Sequence, residues 1–406
     1  MNADGSIDET MLTYSEAISD ASITVANFTI GGTTADAKMA ATSTNGVDTN
    51  AADDATITIK VTAGVSGTEK KAVVYTAGTT ADMSVGANVG VTQTFIAGDV
   101  TDSAKPIITS ATLKDIDTNG KIDRVDTVWS EDLTLDATAA TSHGFQFSGH
   151  GLGATSVTNF TIAGGSNTLN ISIPEAGEST DTSVSDFNLI YTAGTNDLTD
   201  GTTTVATKTL TSVSTPALAD GAVPQIVSST GLDGDNDGKT NSYTITFSEN
   251  LTDKGAAALN ANFTAKNTTT AGAITVSTVG IGATAGGGAT KVTLNLDDAD
   301  SDNYTGPITF SYSGALGGDV VEDASSATND FAAVTDSALT DDVAPVLLSS
   351  RGGSNGGTAD VLDNAGEIID LIFSEPMNAV VPSIVDLEAA LAFANGATDG
   401  TNLGAV

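Results

Sequence analysis

The sequence predicts an all-β chain built from tandem β-sandwich domains, and three observations predict it. An aromatic residue followed by Ser-Glu recurs four times at long, nearly even spacing. Short runs alternate apolar and polar residues with period two, and almost nothing follows a 3.6-residue period. Clusters of Gly, Asn, Asp and Thr bound those runs, as turns bound strands.

The triplets are Tyr14-Ser15-Glu16, Trp129-Ser130-Glu131, Phe247-Ser248-Glu249 and Phe373-Ser374-Glu375, with glutamate spacings of 115, 118 and 126. Pro106, Pro224 and Pro345 keep step, and each follows an aspartate four residues earlier: Asp102, Asp220 and Asp341. "VVYTAGT" at 73–79, "LIYTAGT" at 189–195 and "TFSYSGA" at 309–315 form a third shared element. A fourth is the alternating run "ATITIKV" at 55–61, "NTLNISI" at 167–173 and "TKVTLNL" at 290–296. In the second of these, Leu169, Ile171 and Ile173 are expected to face a core while Asn170 and Ser172 face water. The aromatics of the four triplets are expected to share one inward position. The one stretch with a helical pattern is "SIVDLEAALAFA", 383–394.

These periods divide the chain into repeats at 1–102, 103–220, 221–341 and 342–406. The first begins inside a glycine loop without the Pro-initiated strand, and the last covers about half a unit. The expectation is a piece of a longer array, with its first and last domains incomplete.

Composition narrows the function. The chain has 406 residues, with 14 Lys and Arg against 51 Asp and Glu, a formal charge of −37. Such a surface repels phosphate backbones and anionic head groups, so neither nucleic acid nor a membrane is an expected partner. Hydrophobic residues reach 39% in patterned runs, which a disordered acidic chain lacks. The absence of cysteine excludes disulfides, thiolate metal sites and a Cys nucleophile. Few lysines and abundant Thr, Ala, Gly and Ser point to an extracellular or cell-surface setting, although "MNADGSIDETM" carries neither the basic nor the apolar part of a signal peptide.

"IDLIFSEPMNAVV", 368–380, resembles the bacterial Ig-like domains in which an early strand ends in Phe-Ser-Glu-Pro-Met and an Asn-Phe strand follows. Asn27-Phe28-Thr29 and Asn262-Phe263-Thr264 match the Asn-Phe element, and Asn159-Phe160 falls later than the pattern requires. The resemblance implies tandem Ig-like sandwiches of the kind found in surface-layer proteins, adhesins and secreted enzymes. It implies architecture more than task.

"DIDTNGKIDRVD", 115–126, fits an oxygen-ligand calcium loop: Asp115, Asp117 and Asn119 by side chain, Lys121 by its carbonyl, and Asp123 and Asp126 completing the set. Gly120 permits the turn, and Ile122 is the residue such loops bury. The loop resembles those of EF-hands and dockerins without their helices. Its sister at 233–241 offers Asp233, Asp235, Asp237, Lys239 by its carbonyl and Asn241, with Glu249 as the candidate for the missing ligand. Asn2, Asp4 and Asp8 in the first repeat and Asp363 in the fourth are poorer versions. The alternative is that Asp-Gly and Asn-Gly simply make polar hairpin turns. Against it stands the repulsion among carboxylates at alternating positions, which a divalent ion such as Ca2+ relieves.

Asp102, Asp220 and Asp341 suggest a second ion position at the repeat boundaries, reached by the Ser-Glu glutamates; an ordinary polar linker is the alternative. His143 and His150 occupy a Gly-rich stretch without counterpart elsewhere, and with no third ligand evident they are expected at the surface rather than on zinc. No nucleophile elbow, phosphate loop or dinucleotide fingerprint appears. The expected function is therefore not enzymatic: a Ca2+-stabilised spacer, stalk or lattice region whose neighbours are domains of the same chain. A glycan- or protein-binding adhesive module, including self-association, and the ancillary region of a secreted hydrolase are the alternatives.

Overall fold

A computed structural model describes residues 5–38, 55–78, 90–134, 144–156, 159–162, 166–193, 198–201, 205, 207–253, 259–282, 290–297, 307–314, 321–324, 329–353, 368–375 and 377. The helical pattern at 383–394 lies outside them. The described structure is all-β, with sheets that are antiparallel except where Leu218–Ala219 runs parallel to Ile108–Lys114, and with only short 3-10 turns besides. The chain divides into two units near Ala222 and Val223.

Within the first unit, the second repeat shows the sandwich most completely. One sheet runs in the order Asn159–Ile162, Ser166–Ser172, Arg124–Leu133, Ile108–Lys114 and Leu218–Ala219; the other runs Leu152–Ser156, Phe145–Gly149, Asn188–Tyr191 and Lys208–Leu210. Leu169, Ile171 and Ile173 are buried, and Asn170 and Ser172 are only partly so, which is the predicted alternation. Both sheets feed a single core containing Leu113, Val125, Trp129, Phe145, Leu189 and Tyr191. The first repeat keeps its own smaller core around Phe28, Ile57, Ile59 and Tyr75.

In the second unit, the third repeat stacks the sheet of Ile226–Leu232, Ser242–Phe247, Lys291–Leu296 and Val276–Ile281 against Ala273–Ile274, Phe263–Asn267, Ile308–Tyr312 and Val334–Ala338. Its core includes Tyr243, Ile245, Phe247, Phe263, Leu294 and Tyr312. The fourth repeat is described as one hairpin, Leu347–Gly353 with Ile368–Phe373. Trp129 and Phe247 fill the predicted inward position, whereas Tyr14 and Phe373 are half-buried.

The tyrosine of the third shared element faces a phenylalanine in each of the first three repeats. Phe28 faces Tyr75, Phe145 faces Tyr191 and Phe263 faces Tyr312 across antiparallel strands, with ring centroids 4.8, 4.9 and 4.8 Å apart. Phe145 thus takes the place that the Asn-Phe element occupies elsewhere. Asn159–Ile162 pairs instead with Ser166–Ser172 in the opposite sheet, which explains why Asn159-Phe160 falls out of step.

Candidate functional site

The serine of each of the last three Ser-Glu elements meets the residue that follows the repeat's proline. Ser130 Oγ accepts the Ile107 N–H at 3.1 Å, Ser248 Oγ the Gln225 N–H at 3.0 Å, and Ser374 Oγ the Val346 N–H at 3.0 Å. The backbone N–H of each serine returns a 2.9 Å bond to the carbonyl of that same residue. The residue after each proline is therefore pinned twice, by a side chain short enough to turn back on its own strand. Upstream, Asp102, Asp220 and Asp341 each accept the N–H two residues on, at 3.1, 3.2 and 3.3 Å. Such Asx turns fix the approach to the proline.

The glutamate beside that serine sits in an acidic cleft of about 550 Å³ lined by Glu69, Lys70, Asp102, Glu131, Asp132 and Asp200. Asp102, Glu131 and Asp200 bring carboxylate oxygens within 4.8 Å of one another. Burial pushes the Glu131 carboxyl up to about 7, opposed by the Thr68 hydroxyl that donates to it and aided by Asp200, Asp102 and Glu69. In the fourth repeat, burial and then Asp341 raise Glu375 in the same direction. A proton or a cation relieves such a site.

The glycine loops precede the strand that carries each triplet. Their backbones match: Thr118 and Gly120 have φ of 61° and 85°, and Asn236 and Gly238 have 61° and 87°. Asp115 accepts the N–H groups of Asn119 and Gly120, and Asp233 those of Asn236 and Gly238. Asp115, Asp117 and Asp123 form one group of oxygens within 4.8 Å, and Asp233, Asp235 and Asp237 another. Ile122 is fully buried beneath the first. Asn119 donates to Asp117 and to Glu175, and the Lys121 ammonium donates to the Glu175 carbonyl. Lys239 donates its N–H to Asp237, and Asn241 accepts from Gly234. The donors are hard oxygens on a tight loop, a set suited to Ca2+.

The two loops differ electrostatically. Burial raises Asp115 against its backbone hydrogen bonds, and the charge of Asp123 adds to the rise. For Asp233, slight burial is outweighed by the N–H groups of Gly238 and Asn236, and its carboxyl is held low. Where the second repeat has Asp123, the third has the neutral Asn241, so that repulsion is missing.

Two predicted ligands lie elsewhere. Asp126 already belongs to the strand Arg124–Leu133, where alternation sets it beside Arg124 in a pair with Nε–Oδ1 of 2.5 Å. Glu249 follows the strand Ser242–Phe247, whereas the loop precedes it. At ~3.3 Å per residue the strand holds the two far apart. Glu249 instead offers an oxygen within 4.8 Å of one on Asp323. Glu175 is the neighbour that spacing missed: it arrives from beyond the strand Ser166–Ser172, and its interaction with Asp123 raises its carboxyl. Asn2, Asp4 and Asp363 lie outside the described residues, and Asp8 is buried.

The loops also reach the following repeat. Gly5, at φ 86°, lies so that a Cβ there would stand 3.4 Å from Ile107 and 3.5 Å from Ser130. A Cβ on Gly238 would stand 2.4 Å from that of Ser374.

His150 corrects the surface expectation. It is 1% exposed, and carboxylates of Glu178, Asp181 and Asp186 surround it. His143 lies outside the described residues. The available signal was the histidine itself, which the corresponding hairpins after Phe28 and Phe263 do not carry; the acidic stretch at 174–187 has an acidic counterpart at 297–303 and gave none.

No protein-family model and no curated protein matches the chain. Among solved structures, a crystal structure with xylogluco-oligosaccharide matches at 10% identity over 72% of this chain and 52% of its own, with a TM-score of 0.20. This chain thus spans about half the length of that one. A tandem from titin matches at 11% identity over 76% of this chain and 90% of its own, with a TM-score of 0.17. At these scores the tandem β-sandwich rests on the strands and cores above, and the site on its own geometry.

Proposed function

We propose that the chain is a non-enzymatic structural spacer, a stalk or lattice region of an extracellular surface protein of the surface-layer or adhesin kind, stiffened by Ca2+ on its glycine loops. One observation carries this reading: a loop with converging carboxylates is the same element that abuts the Ser-Glu start of the next repeat within a unit. An ion on Asp233, Asp235 and Asp237 fixes the turn around Gly238, which lies against Ser374. Asp115, Asp117, Asp123 and Glu175 form the equivalent acidic group in the second repeat. Metal there cancels repulsion in a chain of charge −37 and transmits rigidity along the array.

Thermal unfolding with Ca2+ and then with excess chelator tests it. At about 100 times the dissociation constant, a native-state ion stabilises by about 2.7 kcal/mol, so the transition should rise with Ca2+ and fall with chelator. Asp115→Asn combined with Asp233→Asn should remove most of that difference. An unchanged transition, together with no Ca2+ uptake in calorimetry, refutes the metal role and leaves the sandwiches standing.

A further inference from the structure

The second repeat carries a buried histidine among three carboxylates, none of which belongs to the glycine loops or to the Ser-Glu cleft. His150 lies at the tip of the hairpin joining Phe145–Gly149 to Leu152–Ser156, with φ 49° between two glycines in the left-handed region. Its side chain is fully enclosed. The stretch 174–187 wraps over it and donates the Ser179 N–H to the His150 carbonyl at 2.8 Å. The His150 N–H is held in return by Asp186 Oδ2 at 3.2 Å.

The two ring nitrogens face different surroundings. Nδ1 meets Glu178 Oε1 at 3.2 Å. Nε2 meets the Ser183 carbonyl at 2.7 Å, Asp186 Oδ1 at 3.2 Å and Asp181 Oδ1 at 3.9 Å. Three oxygens thus converge on one nitrogen, which as an N–H has one proton to give. Glu178 is enclosed as well, and its second oxygen, Oε2, is buried at this site without a hydrogen-bond partner. Among the described residues no Lys or Arg forms an ion pair with Glu178, Asp181 or Asp186. An imidazolium would balance one of three negative charges, whereas a divalent ion beside a neutral imidazole balances two.

We infer that His150 Nε2, Asp181, Asp186 and the Ser183 carbonyl form a binding site for a first-row divalent cation such as Zn2+, with Glu178 orienting the imidazole. Ligands about 2.0 to 2.2 Å from such an ion stand roughly 3 Å apart at a right angle and about 3.4 Å apart in a tetrahedron. The Asp186 contact to Nε2 at 3.2 Å falls between those edges, and those of the Ser183 carbonyl at 2.7 Å and Asp181 at 3.9 Å lie within about 0.5 Å of them. Nδ1 keeps its proton and donates it to Glu178, which fixes the tautomer and leaves the Nε2 lone pair for the metal. Any proton on Nε2 passes to solvent as the ion binds. The nitrogen donor separates this site from the all-oxygen loops, because it favours a transition-series ion over Ca2+.

The test is a Zn2+ titration of the full 406-residue chain, stripped with chelator and then held in excess Ca2+ so that the oxygen loops are occupied. The wild-type chain should take up one more Zn2+ than His150→Gln. Asp186→Asn, whose side chain is about half exposed and so leaves folding intact, should weaken that ion by about tenfold or more. X-ray absorption of the zinc-loaded protein should show one nitrogen among oxygen donors. Equal uptake by wild type and both variants overturns the assignment. So does nuclear magnetic resonance showing His150 protonated on both nitrogens and unmoved by one equivalent of Zn2+. Failure of the Ca2+ role would appear in the loop variants and leave this result unaffected.

Discussion

Glu131 shows what an acidic sequence does when one of its carboxylates is buried. Its pKa of about 7 against an ordinary 4.5 means that the folded state holds a proton more tightly than the unfolded one. The stability from this group is fully present below 4.5 and is lost as pH rises through about 7. In chelator, the melting temperature should therefore climb as pH falls across that window, and Glu131→Gln should flatten the slope; a pH series of thermal melts reads both. The recurrence of the glutamate and the fixed placement of Asp102 before its proline were legible in the sequence. Asp200 and Thr68 were not, because one comes from a turn far along the chain from Glu131 and the other from the preceding repeat.

The elements were legible wherever side-chain alternation and turn chemistry agreed. "TLNISI" gave its buried face correctly, and the glycine loops gave three converging carboxylates each. The pattern overreached at its last position, because the chain enters a strand before reaching Asp126 and extended backbone carries that side chain away. Glu175, which accepts from Asn119, reaches the loop from a segment that local spacing does not sample. Gly238 tests the loop as an element. Alanine there is expected to cost about 1–2 kcal/mol for the left-handed backbone alone, and more where its Cβ meets Ser374 at 2.4 Å. Denaturant unfolding of Gly238→Ala should show a lowered midpoint, and Ca2+ should recover little of it because the turn itself is distorted.

At the scale of the molecule, each of the first three repeats keeps its own hydrophobic core, so the periodicity read from the triplets is also a periodicity of burial. The acidic surface was plain from composition, and the His150 cluster was not, since its carboxylates lie 28 to 36 residues along the chain from a histidine that no other repeat carries. One pairing within the second repeat bears on the spacer role. Its opening strand Ile108–Lys114 and closing strand Leu218–Ala219 lie side by side and parallel, Leu218 beside Ala111 and Ala219 beside Thr112. Tension applied through the two ends of that repeat draws these strands past each other lengthwise. Their hydrogen bonds are then loaded together in shear instead of being peeled one at a time. Ala219→Pro, which deletes a backbone N–H from the pair, should lower the rupture force of one repeat in single-molecule stretching and leave the force peaks of the others in place. The Ser130 clamp on Ile107 sits where that load enters, so the motif that revealed the repeats in the sequence is also the place where a pulled chain first bears weight.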